Sequence, residues 1–136
     1  MRILLQLGLV TGLVAGVSLP TLAAEATGTW LRENGASRVK MAACGAALCG
    51  TIVWQKEPSL DKNNPEEGQR SRPLVGVRVF YDMKPNGENK WAGKAYNPED
   101  GKTYSGNMTL EGDKLTTQGC VLGGLICRSV GWSRVN

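Results

Sequence analysis

The stretch KWAGKAYNPEDGKTYSGNMTL, residues 90–110, contains two alternating segments separated by a turn signal. Its second segment places polar residues on one face, while the other face carries Tyr104, Gly106, Met108 and Leu110. This period of two is typical of a strand with one buried face. In the turn NPEDG, Pro98 presets φ and Gly101 accepts a positive φ. The stretch therefore predicts two antiparallel strands joined by a hairpin connection.

The same rhythm of short strands and turns continues in both directions. We predict eight strands in the segments ATGTWLRE, SRVKMAAC, LCGTIVWQK, RPLVGVRVFYDM (residues 72–83), KWAGKAYN, KTYSGNMTL, KLTTQGCV and ICRSVGWSRV. All connections but one are short, so neighbouring strands should pair antiparallel. Eight such strands can close into a barrel without exposed edges. The predicted fold class is all-β, a small eight-stranded antiparallel up-and-down barrel, with a β-sandwich as the alternative.

Residues 1–23 have the pattern of a secretory signal peptide. Arg2 precedes an apolar run that Pro20 closes, and Thr21 and Ala23 supply the small side chains that a signal peptidase recognises. The alternative is a buried N-terminal helix. We expect residues 24–136 to be exported to the periplasm as a single soluble domain.

The four cysteines are interpreted as two disulfides. A zinc site built from all four is the alternative, but an exported chain meets oxidising conditions, and the spacings are wider than zinc knuckles prefer. Cys44 and Cys49 flank one predicted hairpin turn, and Cys120 and Cys127 flank another. Local geometry therefore favours the pairs Cys44–Cys49 and Cys120–Cys127.

The sequence contains no histidine. This removes the commonest general base, the Ser-His and Cys-His nucleophile pairs, and most catalytic zinc sites. The formal net charge is +4, but the basic residues are interleaved with acidic ones, so there is no nucleic-acid footprint. We expect no enzymatic activity, no metal and no cofactor, in a monomer that is not embedded in a membrane.

The one long connection, EPSLDKNNPEEGQRSR at residues 57–72, is polar and lacks an apolar period. A loop of this length is usually functional or disordered, and we predict a rim over one barrel mouth. The candidate rim residues are Asp61, Asn64, Arg72, Tyr96, Lys102 and Tyr104. An arginine fork and a lysine could together hold a carboxylate or phosphate group. The plainer interpretation is that Asp61 and Asn64 cap turns, Lys102 is solvated and the tyrosines pack.

The segments GTW, with Trp30, and WSR, with Trp132 and Arg134, suggest a device that closes the barrel. The first and last strands of a barrel are neighbours, so Arg134 can lie over the Trp30 ring in a cation–π contact. We assign these three residues a structural role.

Taken together, the motifs resemble the bacterial exported family called domain of unknown function 2147. They are GTW, the cysteine pair with LCG, the DKNNP loop, RPLVGV, WAGKAYNPEDGKTYSG, the second cysteine pair and the closing WSR. The resemblance implies a lipocalin-like barrel in the periplasm and no settled activity. The family usually has Tyr-Asp-Pro where this chain has Tyr96-Asn97-Pro98, so position 97 is not treated as an essential carboxylate.

Two functions follow from this interpretation. The first is a lipocalin-like binder of a small amphipathic or anionic ligand at the barrel mouth. The alternative is a protein–protein module that meets an envelope protein through residues 57–72, such as an inhibitor of an exported enzyme. Catalysis by a tyrosine–lysine pair ranks third.

Overall fold

The computed structural model describes residues 25–136. The predicted signal segment, residues 1–23, lies outside the described residues. The strands are β1 (Gly28–Arg32), β2 (Ser37–Cys44), β3 (Ala47–Gln55), β4 (Arg78–Pro85), β5 (Lys90–Asn97), β6 (Lys102–Glu111), β7 (Lys114–Val121) and β8 (Ile126–Arg134). A single-turn 3-10 helix occupies Glu67–Gln69, and Leu122–Gly124 form a turn in which every residue has a positive φ.

The strands form a closed barrel in sequence order. Every neighbouring pair is antiparallel, and β1 pairs with β8 through Trp30 opposite Arg134. The predicted up-and-down barrel is therefore confirmed, and the sandwich is not. Within residues 25–136, no helix has the length and apolar character needed to cross a bilayer.

The fourth strand begins later than predicted. A strand from residue 72 was expected, but β4 starts at Arg78, and Gly76 has a φ of +105°. The Val77 N–H bonds to the Leu74 carbonyl at 2.9 Å, which forms a turn, and Ile52 of β3 exchanges hydrogen bonds with the backbone of Gly76 and Val77 just before β4 begins. Val75, which lies within the predicted strand, is exposed. Because Gly76 reverses the chain at this point, residues 73–77 belong to the connection between β3 and β4.

The core fills one end of the barrel, here called the closed end. The turns after β2, β4 and β6 lie there, together with residues 25–27. Its most deeply buried side chains are Trp30, Met41, Leu48, Met83, Trp91, Met108 and Leu115. The Trp30 Nε1–H donates to the Ala26 carbonyl at 3.0 Å, so the segment before β1 covers this end. The opposite end, here called the open end, carries the connections after β1, β3, β5 and β7.

Arg134 closes the seam between β1 and β8. Its guanidinium carbon lies 4.4 Å from the centroid of the Trp30 ring. Its Nη1 donates to the Thr27 carbonyl at 2.8 Å, and its Nε donates to Asp113 Oδ1 at 3.0 Å. The Arg134–Trp30 contact therefore has the geometry expected from the sequence. Trp132 takes no part in it and points deeper into the barrel.

Both predicted disulfides are confirmed. Cys44–Cys49 links β2 to β3 at the closed end, with the Cα atoms 5.8 Å apart. Cys120–Cys127 links β7 to β8 near the open end, with the Cα atoms 4.1 Å apart. The described part of the chain has no free cysteine, which excludes the four-cysteine zinc site.

Candidate functional site

A cavity of about 1160 Å³ enters the barrel from the open end. Its walls are mostly apolar by area and include the aliphatic side chains of Val39, Ile52, Leu74, Val79, Ala95 and Val130. At its floor, the rings of Phe80 and Trp132 meet edge to face with their centroids 6.1 Å apart. The Trp132 Nε1–H donates to Thr117 Oγ1 at 2.9 Å, so the polar atom of this ring is satisfied. The barrel interior is therefore an apolar pocket with one open mouth.

Charged side chains surround the mouth. Six charged residues line the cavity. Four are cationic, namely Arg32, Lys62, Lys102 and Arg128, and two are acidic, namely Glu99 and Asp100. Arg32 Nη1 lies 4.0 Å from Glu99 Oε1. In the described part of the chain, Lys62, Lys102 and Arg128 form no salt bridge. With four cations and two carboxylates, the mouth has an excess of positive charge.

Asp100 has its own partners in the turn between β5 and β6. It accepts hydrogen bonds from the Tyr104 hydroxyl and, at 2.9 Å, from the Lys102 backbone N–H. Burial alone would raise the pKa of Asp100, but these bonds outweigh it and lower the pKa below its usual value. The same bond to Asp100 raises the pKa of Tyr104. At neutral pH the Asp100 carboxylate is therefore ionised and hydrogen-bonded to the Tyr104 hydroxyl and the Lys102 backbone N–H.

A second polar group, here called the Asp61 cluster, comprises Asp61, Asn64, Arg72 and Tyr96. The fully buried Asp61 accepts hydrogen bonds from the Tyr96 hydroxyl at 2.7 Å and from Asn64 Nδ2 at 2.9 Å. Arg72 donates through Nε and Nη2, each 2.9 Å from Asp61 Oδ2. A buried carboxylate requires such a counter-charge and full hydrogen bonding.

The pKa values of the Asp61 cluster follow from this geometry. Burial alone would raise the pKa of Asp61, but the bonds from Tyr96, Asn64 and Arg72 hold the pKa below its usual value. Burial, followed by the hydrogen bond to Asp61, raises the pKa of Tyr96 to about 12. Asp61 is therefore ionised and Tyr96 protonated across the physiological range.

The connection between β3 and β4 is folded against the open end. Its two arms pair through the Asp61 N–H, which donates to the Arg72 carbonyl at 2.9 Å. At its tip, Asn63 Nδ2 donates to the carbonyls of Pro98 and Glu99 at 3.1 and 3.0 Å. Gly101, with a φ of +70°, lies so close that a Cβ there would be 1.8 Å from the Asn63 carbonyl oxygen. The connection is a rim segment fixed to the turn after β5.

The structure divides the predicted site residues into two groups. Tyr96, Lys102 and Tyr104 line the cavity, whereas Asp61, Asn64 and Arg72 do not. The expected clamp of Arg72 and Lys102 on one anion is not formed, because the Arg72 guanidinium is bound to Asp61. Asn64 also fits the plainer turn interpretation, since its Oδ1 accepts from the Glu66 N–H at 2.8 Å.

Sequence reasoning missed three cations at the mouth: Arg32, Lys62 and Arg128. Arg128 could have been found, because it shares the period-two face of β8 with Val130 and Trp132. Lys62 carries no such signal, because its connection has no regular period. Residues 25–136 contain no group of three or more His, Cys, Asp or Glu side chains able to hold a metal ion.

The comparisons with known proteins agree with this architecture. Residues 28–134 match the model of a family described as "Uncharacterized protein conserved in bacteria (DUF2147)". A solved structure, described as "Protein HP1028 from the human pathogen Helicobacter pylori belongs to the lipocalin family", superposes with a TM-score of 0.72. The match has 22% identity and covers 81% of this chain and 82% of that one, which shows a lipocalin-like fold. A search of the curated proteins finds no match.

Proposed function

The chain belongs to the DUF2147 family, and we propose that it binds a small amphipathic molecule with an anionic head group inside its lipocalin-like barrel. The observation that carries this proposal is the apolar cavity with a cationic mouth. Pockets that hold small molecules are commonly concave, mostly apolar and provided with a few polar groups that orient the ligand. We propose binding and not catalysis, because the sequence has no histidine.

The depth of the cavity suits an apolar chain. Along β8 the lining runs from Ile126 at the mouth to Trp132 at the floor, a strand length of about 20 Å at roughly 3.3 Å per residue, and the depth is somewhat less because barrel strands are tilted. Each methylene group buried there contributes about 0.8 kcal/mol. That contribution must exceed the cost of immobilising the ligand, so a chain of several methylene groups binds better than a short one.

The mouth suits an anionic head group. Arg128 offers a planar fork that can bind a carboxylate or phosphate with two hydrogen bonds, and Lys102 offers a point charge. Asp100 and Glu99 offset part of this positive charge, but the four cations that line the cavity outnumber its two carboxylates. The same chemistry would recognise a fatty acid or a phosphorylated lipid head.

We place this binding in the periplasm. Two disulfides fit an oxidising compartment. The first experiment is native mass spectrometry of protein recovered gently from the periplasm of its own bacterium. A reproducible extra mass that is lost on denaturation supports the proposal and identifies the ligand class.

A titration with dodecanoate and dodecanol separates the two parts of the proposal, because these probes share a chain and differ in charge. We expect the wild type to bind dodecanoate more tightly than dodecanol. The double variant Arg128→Glu with Lys102→Glu should lose about tenfold or more of that preference. Lys84→Glu is the control, since Lys84 is exposed and lies outside the cavity lining. A wild type that binds neither probe and carries no extra mass contradicts the proposal.

A protein–protein module remains the second candidate, and the fixed geometry of the β3–β4 connection favours it. Rigid loops bind partners at a lower cost in conformational entropy than mobile ones do. Glu66 and Glu67 are exposed on this connection. Loss of an envelope-protein complex in Glu66→Lys with Glu67→Lys, with the cavity probes still bound, would support this candidate.

A further inference from the structure

The turn between β7 and β8 ends in an exposed apolar segment. Residues 121–126, VLGGLI, are here called the β7–β8 tip and contain no polar side chain. The exposed fractions are 68% for Leu122, 84% for Leu125 and 58% for Ile126. Contiguous exposed apolar side chains mark a surface that meets an apolar partner.

The two leucines have no role in the barrel itself. Neither Leu122 nor Leu125 belongs to the core or lines the cavity. Leu122 also has a φ of +54°, a left-handed conformation that a leucine adopts at a cost of about 1 kcal/mol. Glycine or asparagine would suit this exposed position better in a turn whose only task was to connect two strands.

The base of the tip is held by a disulfide, and the adjacent cavity mouth carries more cations than carboxylates. Cys120 pairs directly with Cys127 below the tip. Of the three cations on this hairpin, Lys114 and Arg134 lie at the closed end, and Arg128 is the one close to the tip. Arg128 follows the disulfide by one residue and lies at the cavity mouth. An exposed apolar tip beside a cationic mouth complements a surface that is apolar in its interior and carries negative charge on its outside.

We propose that the β7–β8 tip docks the protein on an anionic lipid bilayer. Leu122 and Leu125 enter the boundary between head groups and acyl chains, and Arg128 binds lipid phosphate. Interfacial binding of this kind combines buried apolar area with attraction to anionic lipids. Val121 and Ile126 belong to both the tip and the cavity mouth, so docking turns that mouth toward the membrane.

The test is flotation of the disulfide-bonded protein with lipid vesicles. Every variant is recovered from the periplasm, so that any export segment is processed alike. One set of vesicles contains phosphatidylethanolamine and phosphatidylglycerol, and the other contains phosphatidylcholine alone. We expect the wild type to float with the anionic vesicles, less so at high salt, and Leu122→Ser with Leu125→Ser to reduce the bound fraction about tenfold.

Val53→Ser is the matched control, because Val53 is an exposed apolar residue on β3 outside the cavity lining. It should float as the wild type does. The serine pair should keep its binding of dodecanoate in solution, which separates docking from ligand binding. Flotation of the serine pair at the wild-type level overturns the proposal. The proposal is also overturned if the wild type never floats. It is overturned as well if the serine pair differs from the wild type only in being a monomer where the wild type is a dimer, as measured by sedimentation.

Discussion

The Tyr96 hydroxyl donates a hydrogen bond of 2.7 Å to Asp61 Oδ1, across 35 residues of sequence. This bond ties the end of β5 to the connection between β3 and β4. Asn64 and Arg72 complete the coordination of the same carboxylate. One buried charge thereby sets the position of a rim segment that lines the mouth of the cavity.

Replacement of Asp61 by asparagine should destabilise the protein at pH 7. Arg72 loses its charged partner, and the loss should be about 2–3 kcal/mol, below the value for a fully buried pair because Arg72 is partly solvated. Urea denaturation of Asp61→Asn measures it. Glu111→Gln, at an exposed position on β6, is the control and should change little.

Acid should remove the contribution of Asp61. The folded pKa is lower than the unfolded value of about 3.9, so the stabilisation is complete above that value and is lost as the pH falls through the folded pKa. The difference in stability between the wild type and Asp61→Asn should therefore shrink as the pH falls below the unfolded pKa of about 3.9. A gap that stays constant from pH 7 to the acid range would contradict this account.

Tyr96→Phe should affect the alkaline side. The pKa is about 12 in the folded protein and about 10 in the unfolded chain, so the stabilisation is present below pH 10 and is lost as the pH rises toward 12. Tyr96→Phe should be about 1–2 kcal/mol less stable at pH 7, because Asp61 loses a donor. Its stability should fall less steeply above pH 10. Tyr81→Phe is the control in the same denaturation series.

Gly101→Ala should displace the rim segment. The added Cβ would meet the Asn63 carbonyl oxygen at 1.8 Å, and φ is +70°. Gly112→Ala is a matched control, because its φ of +62° imposes similar strain with no atom within 4 Å. We expect Gly101→Ala to cost about 1–3 kcal/mol more than Gly112→Ala and to expose residues 57–72 to proteolysis. Equal effects of the two substitutions would show that the contact with Asn63 is unimportant.

Arg134→Lys should weaken the closure of the barrel. Lysine keeps the charge but cannot stack over Trp30 while donating to the Thr27 carbonyl. The free energy of unfolding should fall by about 1–2 kcal/mol. Arg38→Lys is the comparison, since Arg38 lies over the exposed ring of Trp54 at 5.0 Å. Thermal denaturation that ranks Arg38→Lys as the more damaging change would refute the assigned role.

Val130→Phe should block the cavity without unfolding the barrel. Val130 lines the cavity, so the phenyl ring of a phenylalanine at this position can extend into the empty space. The affinity for dodecanoate should fall about tenfold or more, while stability changes by less than about 1.5 kcal/mol. Val53→Phe, on the outer surface, should leave both unchanged. Undiminished binding by Val130→Phe would place the ligand elsewhere.

Most of the fold could be predicted because strand alternation is a local signal. The segments KWAGKAYN and KLTTQGCV match β5 and β7 residue for residue. The start of β4 could not be predicted, because RPLVGV alternates well and only the positive φ of Gly76 shows that the chain turns there. Of the candidate site, the three residues on regular strands line the cavity, whereas Asp61, Asn64 and Arg72 of the long connection bond to one another instead.

By itself the sequence determined the number and order of the strands, their short connections and both disulfides, since each depends on neighbours within one hairpin. Only the tertiary structure decided that Arg72 pairs with Asp61 and not with a ligand. It also decided that Lys62, Lys102 and Arg128 line the same cavity. These contacts join residues far apart in the chain. Their positions depend on how the closed barrel brings separate hairpins together, and on the need of a buried carboxylate for a counter-charge and hydrogen bonds.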